Sequence, residues 1–212
     1  MIAEQGFAFS PDSARLAVRV GTRVEIWDIQ NSIRLNTLQA IEPPANATRL
    51  SYSADGHRIY AILDRNREAA IWNADSGALI ASIDLPPVDS NAFTTTDLNG
   101  SLFVRNNYDE QSNWIEIWDL EAGEFIRVDT PGRALEPLRF SPDGSLLFST
   151  YADRLYVWMS ESGALIQRSA MEFELADLAI SPDNTRLVVG SYGVAEMWDT
   201  SGIADRAQGS FV

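Results

Sequence analysis

One pattern recurs five times along this chain of 212 residues: an apolar run, a turn related to Ser-Pro-Asp-Gly, a second apolar run, and a third that reaches a tryptophan. The third turn residue is Asp12, Asp55, Asn99, Asp143 or Asp183, at spacings of 43, 44, 44 and 40 residues. The tryptophans are Trp27, Trp72, Trp118, Trp158 and Trp198, at spacings of 45, 46, 40 and 40 residues. Two independent markers with one period indicate a repeat architecture.

Each repeat divides into short apolar runs bounded by Gly, Pro, Asn and Asp, a pattern typical of β-strands. Ser141-Pro142-Asp143-Gly144 has the residue order of a type I turn. No long helical periodicity is present. We therefore predict an all-β chain, a β-propeller of five four-stranded antiparallel blades. Three alternatives are left open for the ring: it is closed, it is incomplete, or a partner completes it. The blades are expected at about residues 6–40, 47–85, 92–130, 136–170 and 175–205, followed by a C-terminal tail at 206–212.

The tryptophans lie in a recurring dipeptide. It is complete in Ile26-Trp27-Asp28, Ile117-Trp118-Asp119 and Met197-Trp198-Asp199, and weaker in Ile71-Trp72-Asn73 and Val157-Trp158-Met159. At this period and beside these turns, the chain resembles the WD-repeat family in its bacterial form. The resemblance implies a non-catalytic scaffold that binds a protein partner through one rim of the propeller. The family's Gly-His pair and its aspartate six residues before the tryptophan are absent, so the blades are expected to be held mainly by apolar packing between sheets.

Composition excludes several kinds of chemistry. The chain has no cysteine, no lysine and a single histidine, His57, which argues against thiol nucleophiles, Schiff-base chemistry, metal sites and cofactors. A formal net charge of −14 disfavours nucleic acid and anionic lipid as partners. No apolar run is long enough for membrane insertion. Met1–Gln5 does not resemble a secretory leader, so a cytoplasmic location is expected unless the chain is a fragment that has lost one.

The loops between the second and third strands should point to one rim, because every blade repeats the same geometry. They carry arginine and aromatic residues, which are enriched at protein interfaces. The candidate partner-binding residues are Arg23, Arg67, Tyr108, Trp114, Tyr151, Arg154 and Tyr192. Trp114 stands outside the repeat, in an insertion with Tyr108, and the alternative is that it only packs locally. The alternative for the rim as a whole is a solvated polar surface, and the five repeated tryptophans are assigned a structural role.

Three further expectations concern other parts of the chain. Arg15, Arg58 and Arg186 share a repeat position at the opposite end of the blades and are expected to pair with Asp12, Asp55 and Asp183. A sugar- or small-ligand-binding propeller is the alternative function, and a carboxylate-based glycosidase is a further one. The innermost strands contain one acid, Asp177, with Asp97 and Glu136 just outside them, so the carboxylate pair of a glycosidase is not expected.

The last blade should lack a firm outer strand. Residues 203–209 are poor in β-forming residues, so we expect three firm strands, a weak or missing fourth, and an unpaired edge. Either the chain is a piece of a longer propeller, or another chain completes that edge by strand addition or self-association.

Overall fold

The computed structural model describes residues 6–40, 47–63, 67–86, 94–97, 100–108, 112–130, 137–191, 193–200 and 203. Within these ranges the chain forms nineteen β-strands, and each strand pairs only with strands adjacent to it in sequence. The strands make five antiparallel sheets, here numbered in chain order. The expected all-β class is confirmed.

Four of the sheets have four strands within the described residues. Sheet 1 contains β1 (Phe7–Phe9), β2 (Arg15–Val20), β3 (Arg23–Asp28) and β4 (Ile33–Thr37). Sheet 2 contains β5 (Ala47–Tyr52), β6 (Arg58–Leu63), β7 (Glu68–Asn73) and β8 (Leu79–Asp84). Sheet 3 contains β9 (Thr94–Thr96), β10 (Leu102–Tyr108), β11 (Asn113–Asp119) and β12 (Glu124–Asp129). Sheet 4 contains β13 (Leu138–Phe140), β14 (Leu146–Tyr151), β15 (Arg154–Met159) and β16 (Leu165–Ala170).

Sheet 5 has three strands within the described residues. They are β17 (Asp177–Ile180), β18 (Arg186–Ser191) and β19 (Val194–Asp199). Of the segment expected to carry a weak fourth strand, only Ile203 is described; it is buried in the apolar cluster of sheets 4 and 5. The rest of that segment and the tail at 206–212 lie outside the described residues.

The turn between the first and second strands is held by its own serine and aspartate. In sheet 4 the amide of Gly144 donates to the Ser141 carbonyl at 2.9 Å. The Ser141 hydroxyl donates to Oδ1 of Asp143 at 2.6 Å and accepts the amide of Leu146 at 2.9 Å. Gly144 has a φ of 75°, which glycine adopts without steric cost. The same three bonds recur around Ser10, Ser53 and Ser181.

Alternate residues of a strand point to opposite faces of its sheet. We call the face that bears the repeated tryptophan the tryptophan face, and the other the opposite face. In sheet 1 the cross-strand register places Phe9, Leu16 and Trp27 on the tryptophan face, and Ala8, Ala17 and Ile26 on the opposite face. The assignment for the other sheets follows from the same register.

Three buried clusters obey one packing rule: the opposite face of one sheet packs against the tryptophan face of the next. The first cluster joins Val24 and Ile26 of sheet 1 to Leu50, Ile59 and Trp72 of sheet 2. The second joins Val104, Ile115 and Ile117 of sheet 3 to Leu138, Leu147 and Trp158 of sheet 4. The third joins Phe148 and Val157 of sheet 4 to Leu178, Leu187 and Val189 of sheet 5. Burial of these apolar side chains supplies the main stabilising free energy of each pair of sheets.

The chain divides into two compact units. One comprises Met1–Ser90 with Leu98–Ser101 and Leu120–Gly123, and the other comprises Asn91–Asp97, Leu102–Asp119 and Glu124–Val212. The first cluster lies in the former unit and the other two lie in the latter. In the part of the chain that the structure describes, no helix is long and apolar enough to cross a membrane.

Candidate functional site

The candidate rim residues lie at the hairpin between the second and third strands of their sheets. Arg23 begins β3 and Arg67 precedes β7; Tyr108 ends β10 and Trp114 is the second residue of β11. Tyr151 and Arg154 end β14 and begin β15, where they face each other in the cross-strand register. Tyr192 and the side chain of Tyr108 lie outside the described residues. Thus Tyr151 and Arg154 are the two candidates that one hairpin brings side by side.

Two of the rim arginines have no acidic partner among the residues that the structure describes. Arg23 and Arg67 are exposed, and no described carboxylate lies within 4.0 Å of either guanidinium. Among the described carboxylates, Arg154 approaches that of its sequence neighbour, with Nε 3.7 Å from Oδ1 of Asp153. Tyr151 is exposed at the same hairpin. The rim therefore presents hydrogen-bond donors that the described part of the fold does not use.

The arginines at the other end of the sheets, unlike those of the rim, lie close to acidic side chains. These side chains are not the turn aspartates, so the expected pairing is wrong. Nη1 of Arg15 lies 2.7 Å from Oδ1 of Asp75, and Nη1 of Arg58 lies 2.6 Å from Oε1 of Glu121. Arg186 lies 4.0 Å from Asp199. The physical reason is that the turn aspartates already accept the serine hydroxyl and a backbone amide, which lower the pKa of Asp12.

Trp114 packs against its own sheet. Its indole N–H donates to Oε1 of Glu116 at 3.2 Å, and the guanidinium carbon of Arg127 lies 4.1 Å from the centre of its ring. Arg127 is on β12, diagonally across from Trp114, because it pairs in register with Glu116. Trp114 is partly buried rather than fully covered, so one part of the ring is held by the sheet and another part remains accessible.

Glu116 is the centre of a polar cluster that the motif analysis missed. Its Oε2 accepts Nε–H of Arg105 at 2.6 Å and the indole N–H of Trp118 at 3.1 Å, and Nη2 of Arg105 lies 2.5 Å from the same oxygen. Both charged side chains are buried. Glu25 and Glu196 accept the indoles of Trp27 and Trp198 at 3.0 and 3.3 Å in the same way.

In three sheets the indole N–H of the repeated tryptophan thus has a glutamate as its hydrogen-bond acceptor, without the aspartate typical of WD repeats. A glutamate two residues before the tryptophan lies on the same face of the same strand, so its carboxylate reaches the indole. These hydrogen bonds lie within single strands, so they add to the apolar packing between sheets that is expected to be the main contribution. The sequence signal was present, because Glu25, Glu116 and Glu196 share one repeat position.

The candidate acids of an enzyme have other contacts. Oδ1 of Asp177 lies 3.8 Å from Nη2 of Arg139. Asp97 is buried and occupies the turn position that serine holds in other sheets, where its Oδ1 accepts the amide of Leu102 at 2.9 Å. Glu136 lies outside the described residues. Among the residues that can be described, no three acidic or histidine side chains are grouped so that they could hold a metal ion.

Comparisons with known proteins bear on the fold. No protein-family model matches the sequence, and no curated protein matches it significantly. A solved structure of hydrazine synthase from Kuenenia stuttgartiensis, a β-propeller-type protein, is similar with a TM-score of 0.59 and 17% identity over 88% of this chain. The match spans 55% of the length of that protein. The similarity supports a propeller-like β fold, and a fold of this kind hosts many unrelated functions.

Proposed function

We propose that this chain is a protein-interaction module of the WD-repeat type, with its sheets as blades and the hairpin rim as the contact surface. The observation that carries the proposal is the contrast between two sets of arginines. Arg15 and Arg58 are held by carboxylates at 2.7 and 2.6 Å, whereas Arg23 and Arg67 have none within 4.0 Å among the described residues. In a chain of net charge −14, exposed arginines without acidic partners are available for a carboxylate on another protein.

The aromatic residues give the same rim an anchor. Tyrosine, tryptophan and arginine dominate the residues on which binding energy concentrates. Trp114 is fixed between Glu116 and Arg127, so little side-chain entropy would be lost when a partner covers it. Arg127 stacks on Trp114 and is itself half-exposed, which adds it to the candidate surface.

The test compares two variants with the same change in charge. The rim variant is Arg23→Ala, Arg67→Ala and Arg154→Ala; the control variant is Arg15→Ala, Arg58→Ala and Arg186→Ala. The wild-type chain is used to capture partners from the source cells, and the affinity of each captured partner is then measured by biolayer interferometry. Loss of at least about tenfold, roughly 1.4 kcal/mol, is expected for the rim variant only. Equal affinities for all three proteins would contradict the proposal.

We also propose that the module is not catalytic. Asp97 holds a turn and Asp177 lies near Arg139. These contacts support structural roles for both acids rather than the role of two opposed carboxylates acting on a glycosidic bond. A panel of chromogenic glycosides should give no hydrolysis above background. Turnover that disappears in Asp177→Ala would contradict this part of the proposal.

A further inference from the structure

The tryptophan face of sheet 1 is uncovered at positions that the repeat buries elsewhere. Phe7 and Phe9 of β1 are 51% and 58% exposed. Their repeat counterparts in sheet 4, Leu138 and Phe140, are 4% and 8% exposed, because sheet 3 covers them. The two phenylalanine rings contact each other edge to face, with centroids 6.5 Å apart. An exposed aromatic pair on a sheet face favours a docking surface.

The opposite face of sheet 5 is uncovered in the same way. Met197 of β19 is 68% exposed, whereas its counterparts Ile26, Ile117 and Val157 are 0%, 2% and 0% exposed. Ala195, on the same face of the same strand, is also exposed. In the sheets that carry those counterparts, this face packs against the following sheet.

One uncovered face is an opposite face and the other is a tryptophan face, and these are the two kinds of face that pack together within the chain. The packing rule joins an opposite face to a tryptophan face, and sheet 5 offers the former while sheet 1 offers the latter. We propose that a second copy of the chain covers them: the opposite face of sheet 5 in one protomer packs on the tryptophan face of sheet 1 in its partner. The contact would continue the sheet-on-sheet packing from one protomer into the next.

One polar contact across this interface follows from the same repeat positions. Arg15 and Arg58 each pair with the third residue after the tryptophan of the following sheet, Asp75 and Glu121. Arg186 holds that arginine position in sheet 5. The third residue after Trp27 in sheet 1 is Gln30, close in sequence to the half-buried carboxylate of Asp28. Docking would therefore bring the Arg186 guanidinium to an amide acceptor with a carboxylate nearby.

The contact is heterologous, since different faces of the two protomers meet. Such contacts either close into a ring or extend as an open chain. Each protomer carries a net charge of −14, which opposes association at low ionic strength. Because salt screens this repulsion while leaving the apolar contact in place, association should strengthen as sodium chloride rises.

The experiment is sedimentation velocity on the 212-residue protein and two variants, Met197→Glu and Phe9→Glu. The wild type should exceed the monomer mass of 23.5 kDa in a concentration-dependent way. Each variant alone should sediment as a monomer, because one of its two faces is blocked. An equimolar mixture of the two should form a dimer and stop there, because one intact face of each kind remains. Wild-type protein that stays monomeric up to high concentration and salt would overturn the proposal.

The two variants, alone and in an equimolar mixture, distinguish the proposed contact from other modes of self-association. A self-complementary contact through one of the two faces would let the variant that keeps that face dimerise alone. Strand addition at the edge of β19 would likewise leave Phe9→Glu able to assemble alone. Either result overturns the proposal. Ile80→Glu, which replaces an equally exposed apolar residue of β8, is the matched control and should assemble like the wild type. Far-UV circular dichroism checks folding, and Phe7→Glu on the same face replaces Phe9→Glu if the latter unfolds. The triple rim variant should also assemble, so this test is independent of the proposed function.

Discussion

The indole N–H of Trp118 donates to the carboxylate of Glu116, two residues earlier on the same strand, at 3.1 Å. The same carboxylate binds Arg105, whose side chain is fully buried. Sheet 3 therefore places an ion pair where other sheets place a half-exposed glutamate or an apolar residue. A buried ion pair is costly to form, but it is more costly to break by removing one partner.

Glu116→Ala should lower the free energy of unfolding by about 3–5 kcal/mol, because the Arg105 charge would lose its carboxylate while staying buried. The double variant Arg105→Met with Glu116→Leu should recover most of that loss, because it removes both charges at similar volume. Urea denaturation followed by tryptophan fluorescence measures both. Glu124→Gln, in the same sheet but exposed, is the control and should change stability little. A small effect of Glu116→Ala would show that Arg105 is solvated.

Gly163 and Gly123 occupy the same turn in sheets 4 and 3, with φ of 68° and 70°. A Cβ on Gly163 would lie 2.5 Å from Cγ2 of Val128, whereas a Cβ on Gly123 meets nothing within 4 Å. In both alanine variants the left-handed backbone conformation should lower the free energy of unfolding by about 1–2 kcal/mol. Gly163→Ala should cost a further 1–3 kcal/mol or so from overpacking. Thermal denaturation compares the two, and equal losses would contradict the close approach of Gly163 to sheet 3.

Stability should fall in acid because of the turn aspartates. The Ser181 hydroxyl and the Thr185 amide hold the pKa of Asp183 at about 2, below its ordinary value of about 3.9 in an unfolded chain. A lowered pKa in the folded state stabilises above the unfolded value and is lost as pH falls through the folded value. Asp183→Asn should therefore melt a few degrees below the wild type at neutral pH. The difference should shrink between about pH 4 and pH 2, as followed by circular dichroism. A constant difference would contradict this account.

The surface pair of Arg15 and Asp75 should contribute little to stability despite its short distance. Both side chains are substantially exposed, and exposed pairs contribute about 0.2–1 kcal/mol. A double-mutant cycle with Arg15→Met and Asp75→Asn should give a coupling energy within that range. The same cycle with Asp12→Asn in place of Asp75→Asn should give a smaller one. A larger coupling energy for Arg15 with Asp12 than with Asp75 would instead support the pairing expected from sequence spacing.

The repeat period predicted the fold well because both of its markers are local. A Ser-Pro-Asp-Gly turn and a hairpin glycine act within a few residues, and the strands between them pair with their neighbours in sequence. The partners of Arg15 and Arg58 could not be found in this way, because Asp75 and Glu121 lie about sixty residues further along. Contacts at this separation depend on the tertiary structure rather than on local spacing. The hydrogen bond between Glu116 and Trp118 could have been predicted from the sequence, because residues two apart on a strand share a face.

The candidate site is less accessible to sequence reasoning than the fold. The repeat assigned Arg23, Arg67, Tyr151 and Arg154 to one kind of hairpin, and the structure places them there. The stacking of Arg127 on Trp114 could not be anticipated, because it depends on the register between β11 and β12. The uncovered faces of sheets 1 and 5 could not be anticipated either. The repeat positions of Phe9 and Met197 carry apolar residues in covered sheets too, such as Phe140 and Ile117. The exposure of Phe9 and Met197 is what distinguishes them.

Each sheet is completed by strands that follow one another directly along the chain, and this affects how the protein can be made. None of the described strands has to wait for a distant segment before it pairs, so the loop-closure entropy of each pairing step is small. Proteins dominated by such short-range contacts fold faster than β-proteins with distant pairings. During synthesis, a sheet can form soon after its own segment leaves the ribosome. Its apolar faces then stay exposed only until the next segment emerges.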